Sequence, residues 1–112
     1  MGGGLAVRGI DWLWQISKYV VQLSPDDPCR ATIWYRGFEY WAVRNVTKAN
    51  NYYVTGHTAE RVLRRLAQEG YLVRESRGPF VAFKPSQKLC EYVRQHLEEL
   101  KKRIGAGQKT NI

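Results

Sequence analysis

The chain has 112 residues, 44% of them hydrophobic and 12% aromatic, which suits one small domain with a single core and excludes a disordered composition. No apolar run reaches the ~18 residues of a membrane span, and MGGGLAVRGIDWLW shows no cationic lead into a long apolar segment. An intracellular, cytoplasmic protein with no membrane attachment is therefore expected. Arg8 and Lys18 against Asp11, Asp26 and Asp27 leave residues 1–28 at −1, so of the net +8 the rest of the chain carries +9, a balance that favours a polyanionic partner.

Gly2, Gly3 and Gly4 mark residues 1–10 as a flexible N-terminal segment. From Asp11 to Ser24, DWLWQISKYVVQLS sets Leu13, Ile16, Val20 and Leu23 at helical spacing behind Asp11 as cap. Trp12, Trp14 and Tyr19 widen its apolar face. SPDDP ends the helix, since proline cannot continue the ladder. RATIWYRG, Arg30 to Gly37, has the β-branched and aromatic content of a short strand. FEYWAVRNVTKANN then places Phe38, Trp41, Ala42 and Val46 on one helical face and Arg44 and Lys48 on another, although its aromatics would also suit a strand.

After the turn YYVTG, the Thr55 hydroxyl can cap a third helix, HTAERVLRRLAQE. Ala59, Val62, Leu63 and Leu66 form its inner stripe. His57, Arg61, Arg64 and Gln68 fall opposite, with Thr58 and Arg65 on the flank. Gly70 ends the helix. YLVRES and FVAFK are strands joined by RGP. Pro85-Ser86 opens a last helix, residues 86–104, carrying Leu89, Val93, Leu97, Leu100 and Ile104 on one stripe and the pairs Glu98–Lys102 and Glu99–Arg103. Gly105 is placed to cap it, leaving 105–112 as a flexible tail.

This order of parts resembles the winged helix-turn-helix superfamily, and VTGHTAERVLRRLAQEGYLVRES carries the likeness. A hydroxyl residue opens the third helix, Ala59, Leu63 and Leu66 hold it to the core, and Gly70-Tyr71-Leu72 turns into a hairpin. The resemblance implies an α+β fold over residues 11–85, with three core helices, a small antiparallel β-hairpin wing and an extra C-terminal helix. It also implies a double-stranded DNA-binding transcription regulator, with helix 55–69 in the major groove and the 74–80 wing on the backbone. The connection Asn50–Gly56 is longer than the family's usual tight turn, and the ESRGP wing loop is short.

The residues support the same reading on physical grounds. Arg61, Arg64 and Arg65 repel one another on a helix without an anionic partner, and each guanidinium can fork onto guanine or clamp a phosphate. Against this, Glu60 can pair with Arg64 and Glu69 with Arg65, giving a merely solvated face. Thr55, His57, Thr58, Arg61, Arg64, Arg65 and Gln68 are the helix candidates; Arg44, Lys48, Arg74 and Arg77 are candidate phosphate contacts. Structured RNA is the alternative partner, because residues 29–54 and 85–112 each carry +3 as well. A protein-interaction helix would show exposed apolar residues, and this one has none.

No cofactor or metal is expected, and no enzymatic constellation is present. GAGQKT breaks the consecutive Gly-Lys-Thr of a phosphate loop, and Asp26-Asp27 has no histidine or third carboxylate beside it. Cys29 and Cys90 are too far apart for a Cys-x-x-Cys site. Two buried thiols and a disulfide both remain open; intracellular bridges are expected mainly in hyperthermophiles. The Leu89–Ile104 stripe could close over the core or pair with a twin into a homodimer reading two half-sites.

Overall fold

The architecture is that of a computed structural model, which describes residues 6, 7, 10–50 and 56–109, with side chains for 10–46, 57–75 and 78–103. The described residues are α+β: five α-helices pack around a three-stranded antiparallel sheet, beside a separate two-stranded ladder. None of the described helices is long and apolar enough to cross a membrane.

The N-terminal segment is not featureless. β1 (Ala6–Val7) pairs antiparallel with β2 (Ile10–Asp11), and Ile10 is buried in the core, so the folded unit begins before residue 11. α1 (Trp12–Leu23) starts at the expected cap, with the Asp11 carboxylate accepting the Trp14 amide hydrogen at 3.2 Å. Trp12, Leu13, Ile16, Tyr19 and Val20 are buried as the spacing required. Leu23 is 44% exposed. Its angle on the helix fits the stripe, but it stands in the last turn, where the described residues cover it only in part.

The segment read as a strand from Arg30 to Gly37 is mostly something else. A single 3₁₀ turn spans Pro28–Arg30, and β3 is only Ile33–Trp34, paired to β5 through Ile33↔Phe83 and Trp34↔Ala82. The chain then enters α2 (Tyr35–Asn50) at once. On α2 the face Phe38, Trp41, Ala42 and Val46 is buried, which settles helix against strand. Phe38 is the hub of an aromatic cluster, with Tyr19 at 5.5 Å and Trp12 and Trp41 both at 6.2 Å between ring centroids. The Trp41 indole N–H donates to Gln22 Oε1 at 2.8 Å, tying α2 to α1.

Gly37 lies on α2 against the Tyr19 side chain of α1. A Cβ there would lie 2.9 Å from the Tyr19 hydroxyl oxygen, and Tyr19 is itself buried among rings. Gly37→Ala is therefore expected to cost on the order of 1–3 kcal/mol, despite alanine's better helix propensity. Adding Tyr19→Phe removes the clashing oxygen and should recover much of the loss. Thermal unfolding of the two single variants and the double variant checks the coupling.

α3 (Gly56–Gln68) buries Ala59, Val62, Leu63 and Leu66 against α2 and the sheet. It ends at Gly70, whose φ of +89° suits glycine. β4 (Leu72–Arg77) and β5 (Phe80–Pro85) form the hairpin, with β5 central in the order β3-β5-β4. At the hairpin tip Gly78 has φ +62° and Pro79 follows. Proline excludes the second positive φ of a type I′ turn, so the arrangement fits type II′.

The C-terminal helix is two helices rather than one. α4 (Gln87–Gln95) is capped by the Ser86 hydroxyl, and α5 (Leu97–Lys109) follows after a break at His96. The His96 backbone leaves helical geometry at φ −114°, ψ 17°, and its N–H is shared between the Tyr92 and Val93 carbonyls at 3.2 and 3.1 Å. Its ring packs on Tyr92, 4.3 Å between centroids, and edge-on to Trp14 of α1. α5 runs through Gly105 to Lys109, so Gly105 is no cap and the presumed tail is largely helical. Leu89, Val93 and Leu100 are buried in the chain's own core, and Leu97 packs half-buried against it. The side chain of Ile104 lies outside the described residues. Among the described residues, then, this stripe closes over the chain's own core.

Cys29 and Cys90 are joined by a disulfide, Cα–Cα 5.4 Å, that ties the 3₁₀ turn to α4. Where α5 meets α1, burial first and then the Arg103 guanidinium hold the Lys18 ammonium below the usual lysine value of 10.5. A lysine whose folded pKa is depressed costs stability while charged, and that cost is relieved as pH rises through the window just below 10.5. Lys18→Met should thus raise the melting temperature at neutral pH, with the gain shrinking as pH approaches that window. Thermal melts across pH test it.

Candidate nucleic-acid interface

α3 is amphipathic for a simple reason: its apolar residues recur at three- and four-residue intervals, and everything between them is polar. Among its described side chains every exposed one is polar: His57, Glu60, Arg61, Arg64, Arg65 and Gln68. Five of the seven expected helix candidates therefore stand in solvent as read. Thr58 does not. It is only 5% exposed and engaged inside the protein, because it sits beside Ala59 at the edge of the buried face. Thr55 lies outside the described residues.

The stripe divides by direction. Glu60, Leu63, Arg64, Ala67 and Gln68 recur at the spacing of one helical side and line a groove of about 490 Å³ between α3 and the hairpin. Arg74 and Phe83, directly paired in the β4–β5 register, form its opposite wall with Val81. Arg74 and Arg64 thus share one cleft, from different elements. Tyr35 at the start of α2 also lines the cleft. Its phenol is pushed above its ordinary pKa, by burial first and by Glu39 and Glu60 next, so it remains a donor at neutral pH. Sequence reasoning passed over Tyr35 because it stood inside a presumed strand.

Both anticipated ion pairs form. Arg64 Nη2 lies 2.7 Å from Glu60 Oε2, and Arg65 Nε lies 4.0 Å from Glu69 Oε2. All four side chains are about half exposed or more, so such pairs contribute at most ~1 kcal/mol and yield readily to a stronger anion. Arg61 has no ion-pair partner among the described residues. Arg44 is held on α2 by Tyr40, with a 3.1 Å hydrogen bond to the phenol and its guanidinium 5.3 Å from the ring centroid. Lys48 lies on α2 and Arg77 at the end of β4, but both side chains lie outside the described residues.

The far end of α3 is anchored. Lys88 Nζ donates to the Glu69 carbonyl at 2.8 Å and sits 4.4 Å over the Tyr71 ring, while the Ser86 hydroxyl donates to the Gly70 carbonyl. These contacts satisfy carbonyls the helix leaves open and place a cation at its negative end. The C-terminal end of the helix that presents the exposed arginines is thereby tied to α4 and its cap. Among the described residues no cluster of three or more histidine, cysteine or carboxylate side chains could hold a metal. No model of a known protein family matches the sequence, and no curated protein matches it either.

Proposed function

We propose that this chain is a winged helix-turn-helix protein that binds double-stranded DNA and acts as a transcription regulator. In this reading α3 enters the major groove and the β4–β5 hairpin is the wing that lies on the backbone. The carrying observation is the division of α3: one face wholly buried, the other all polar with three arginines exposed. A helix with its side chains is ~10–12 Å across and fits a ~12 Å groove. The order α1, β3, α2, α3, β4, β5 agrees with the superfamily's order of parts. Arg74 and Arg44, on the hairpin and on α2, would position the duplex through phosphates while α3 reads base edges.

Structured RNA is the second reading, favoured by charge outside α3: residues 29–54 and 85–112 each sum to +3. Fluorescence anisotropy with a labelled duplex and a labelled RNA hairpin, at several salt concentrations, separates the two. A duplex preference with a log–log salt slope of about −3 to −5 is expected, each neutralised phosphate contributing about −0.9. Tighter RNA binding, or a slope near zero, would sink the DNA reading.

A further inference from the structure

The groove between α3 and the hairpin has a chemistry that phosphate contact alone does not use. Leu63, Ala67, Val81 and Phe83 give it an apolar interior, of which Leu63 and Phe83 are buried and Val81 is 36% exposed. Two guanidiniums, Arg64 and Arg74, border it against one carboxylate, Glu60, leaving a net positive rim. Arg74 has no ion-pair partner among the described residues. Its volume, about 490 Å³, lies within the range of small-molecule pockets, which are largely apolar with a few convergent polar groups.

We infer that this groove is a binding site for a small aromatic carboxylate, whose ring lies on Phe83 and Val81 and whose carboxylate is forked by Arg74 with Arg64 beside it. A planar carboxylate matches the guanidinium fork, and a flat apolar body suits the interior. Occupancy draws Arg64 and Arg74 onto the ligand and away from nucleic acid, so the ligand opposes DNA binding. The site stands on the groove itself; only this opposition rests on the proposed function.

Calorimetry with 2-naphthoate and its neutral counterpart 2-naphthamide, on the full chain without nucleic acid, tests the site. Saturable 1:1 binding of the carboxylate is expected, about tenfold or more tighter than the amide, and weakened about tenfold by Arg74→Gln. Ala67→Phe fills the groove from the opposite wall and should abolish binding while circular dichroism stays that of wild type. NMR shifts induced by 2-naphthoate in wild type should centre on Leu63, Ala67 and Phe83. No heat at millimolar ligand, equal affinity for the amide, or shifts centred elsewhere would overturn the site. Duplex titration with saturating 2-naphthoate is the separate arm: weaker DNA retention in wild type supports the opposition, and undiminished retention refutes it. Failure to bind duplex in the absence of ligand would instead remove the DNA reading and leave the calorimetric result standing.

Discussion

Replacing Arg61 and Arg64 together by alanine is expected to weaken duplex binding at least tenfold and to flatten the salt slope by ~1–2 units, with the fold intact. Both side chains are exposed and neither supports the core, so circular dichroism and melting temperature should barely move. The two arginines are not equivalent. Arg61 has no local competitor among the described residues, whereas Arg64 is held at 2.7 Å by Glu60. Removing Arg64 alone leaves a bare carboxylate facing the phosphates, so that single variant should lose more than the Arg61 variant. Glu60→Gln should do the reverse and tighten duplex binding, because it frees Arg64 and deletes a repulsive charge. An exposed pair of this kind adds at most ~1 kcal/mol to stability, so the substitution costs the fold little. A solvated, idle face predicts no change from any of these variants. Anisotropy titrations of the four variants at matched salt therefore decide between a working interface and an ornamental one.

The parts of this protein written in local periodicity were legible. Helix α3, with its inner face Ala59, Val62, Leu63 and Leu66, follows from spacing alone, as does the Asp11 cap of α1. The α2 face Phe38, Trp41, Ala42 and Val46 was equally readable once helix was chosen over strand. What failed depended on contacts between distant segments. Thr58 is one residue from the inner stripe, and whether such a flank position is wet or dry is decided by how α3 is tilted against its neighbours. The break at His96 has no proline or glycine to announce it; the ring is caught between Tyr92 and Trp14, and the backbone yields to that packing. Cys29 and Cys90 stand 61 residues apart, so nothing local could choose between two thiols and a bridge. The cleft joining Arg64 to Arg74 needed the hairpin register, which pairs Arg74 with Phe83 on the side facing α3.

Leu100→Ala is expected to lower the unfolding free energy by about 2–5 kcal/mol, and the loss should not depend on protein concentration. Leu100 is fully buried at the point where α5 lies against α1. The break at His96 turns α5 back onto the body of the protein instead of letting it run on from α4 as a free rod. An uninterrupted helix would have carried Leu97, Leu100 and Ile104 outward as a stripe open to a second copy. In that arrangement the folded state would gain stability by mass action, and the unfolding midpoint would rise with concentration. Denaturant unfolding at widely separated protein concentrations, for wild type and Leu100→Ala, distinguishes the two arrangements. A midpoint that climbs with concentration would mean that α5 meets a partner, and the closed core described here would be wrong. A constant midpoint with a large Leu100→Ala loss means that the helix caps its own domain. Any pairing of two copies on DNA would then have to use a surface other than this stripe.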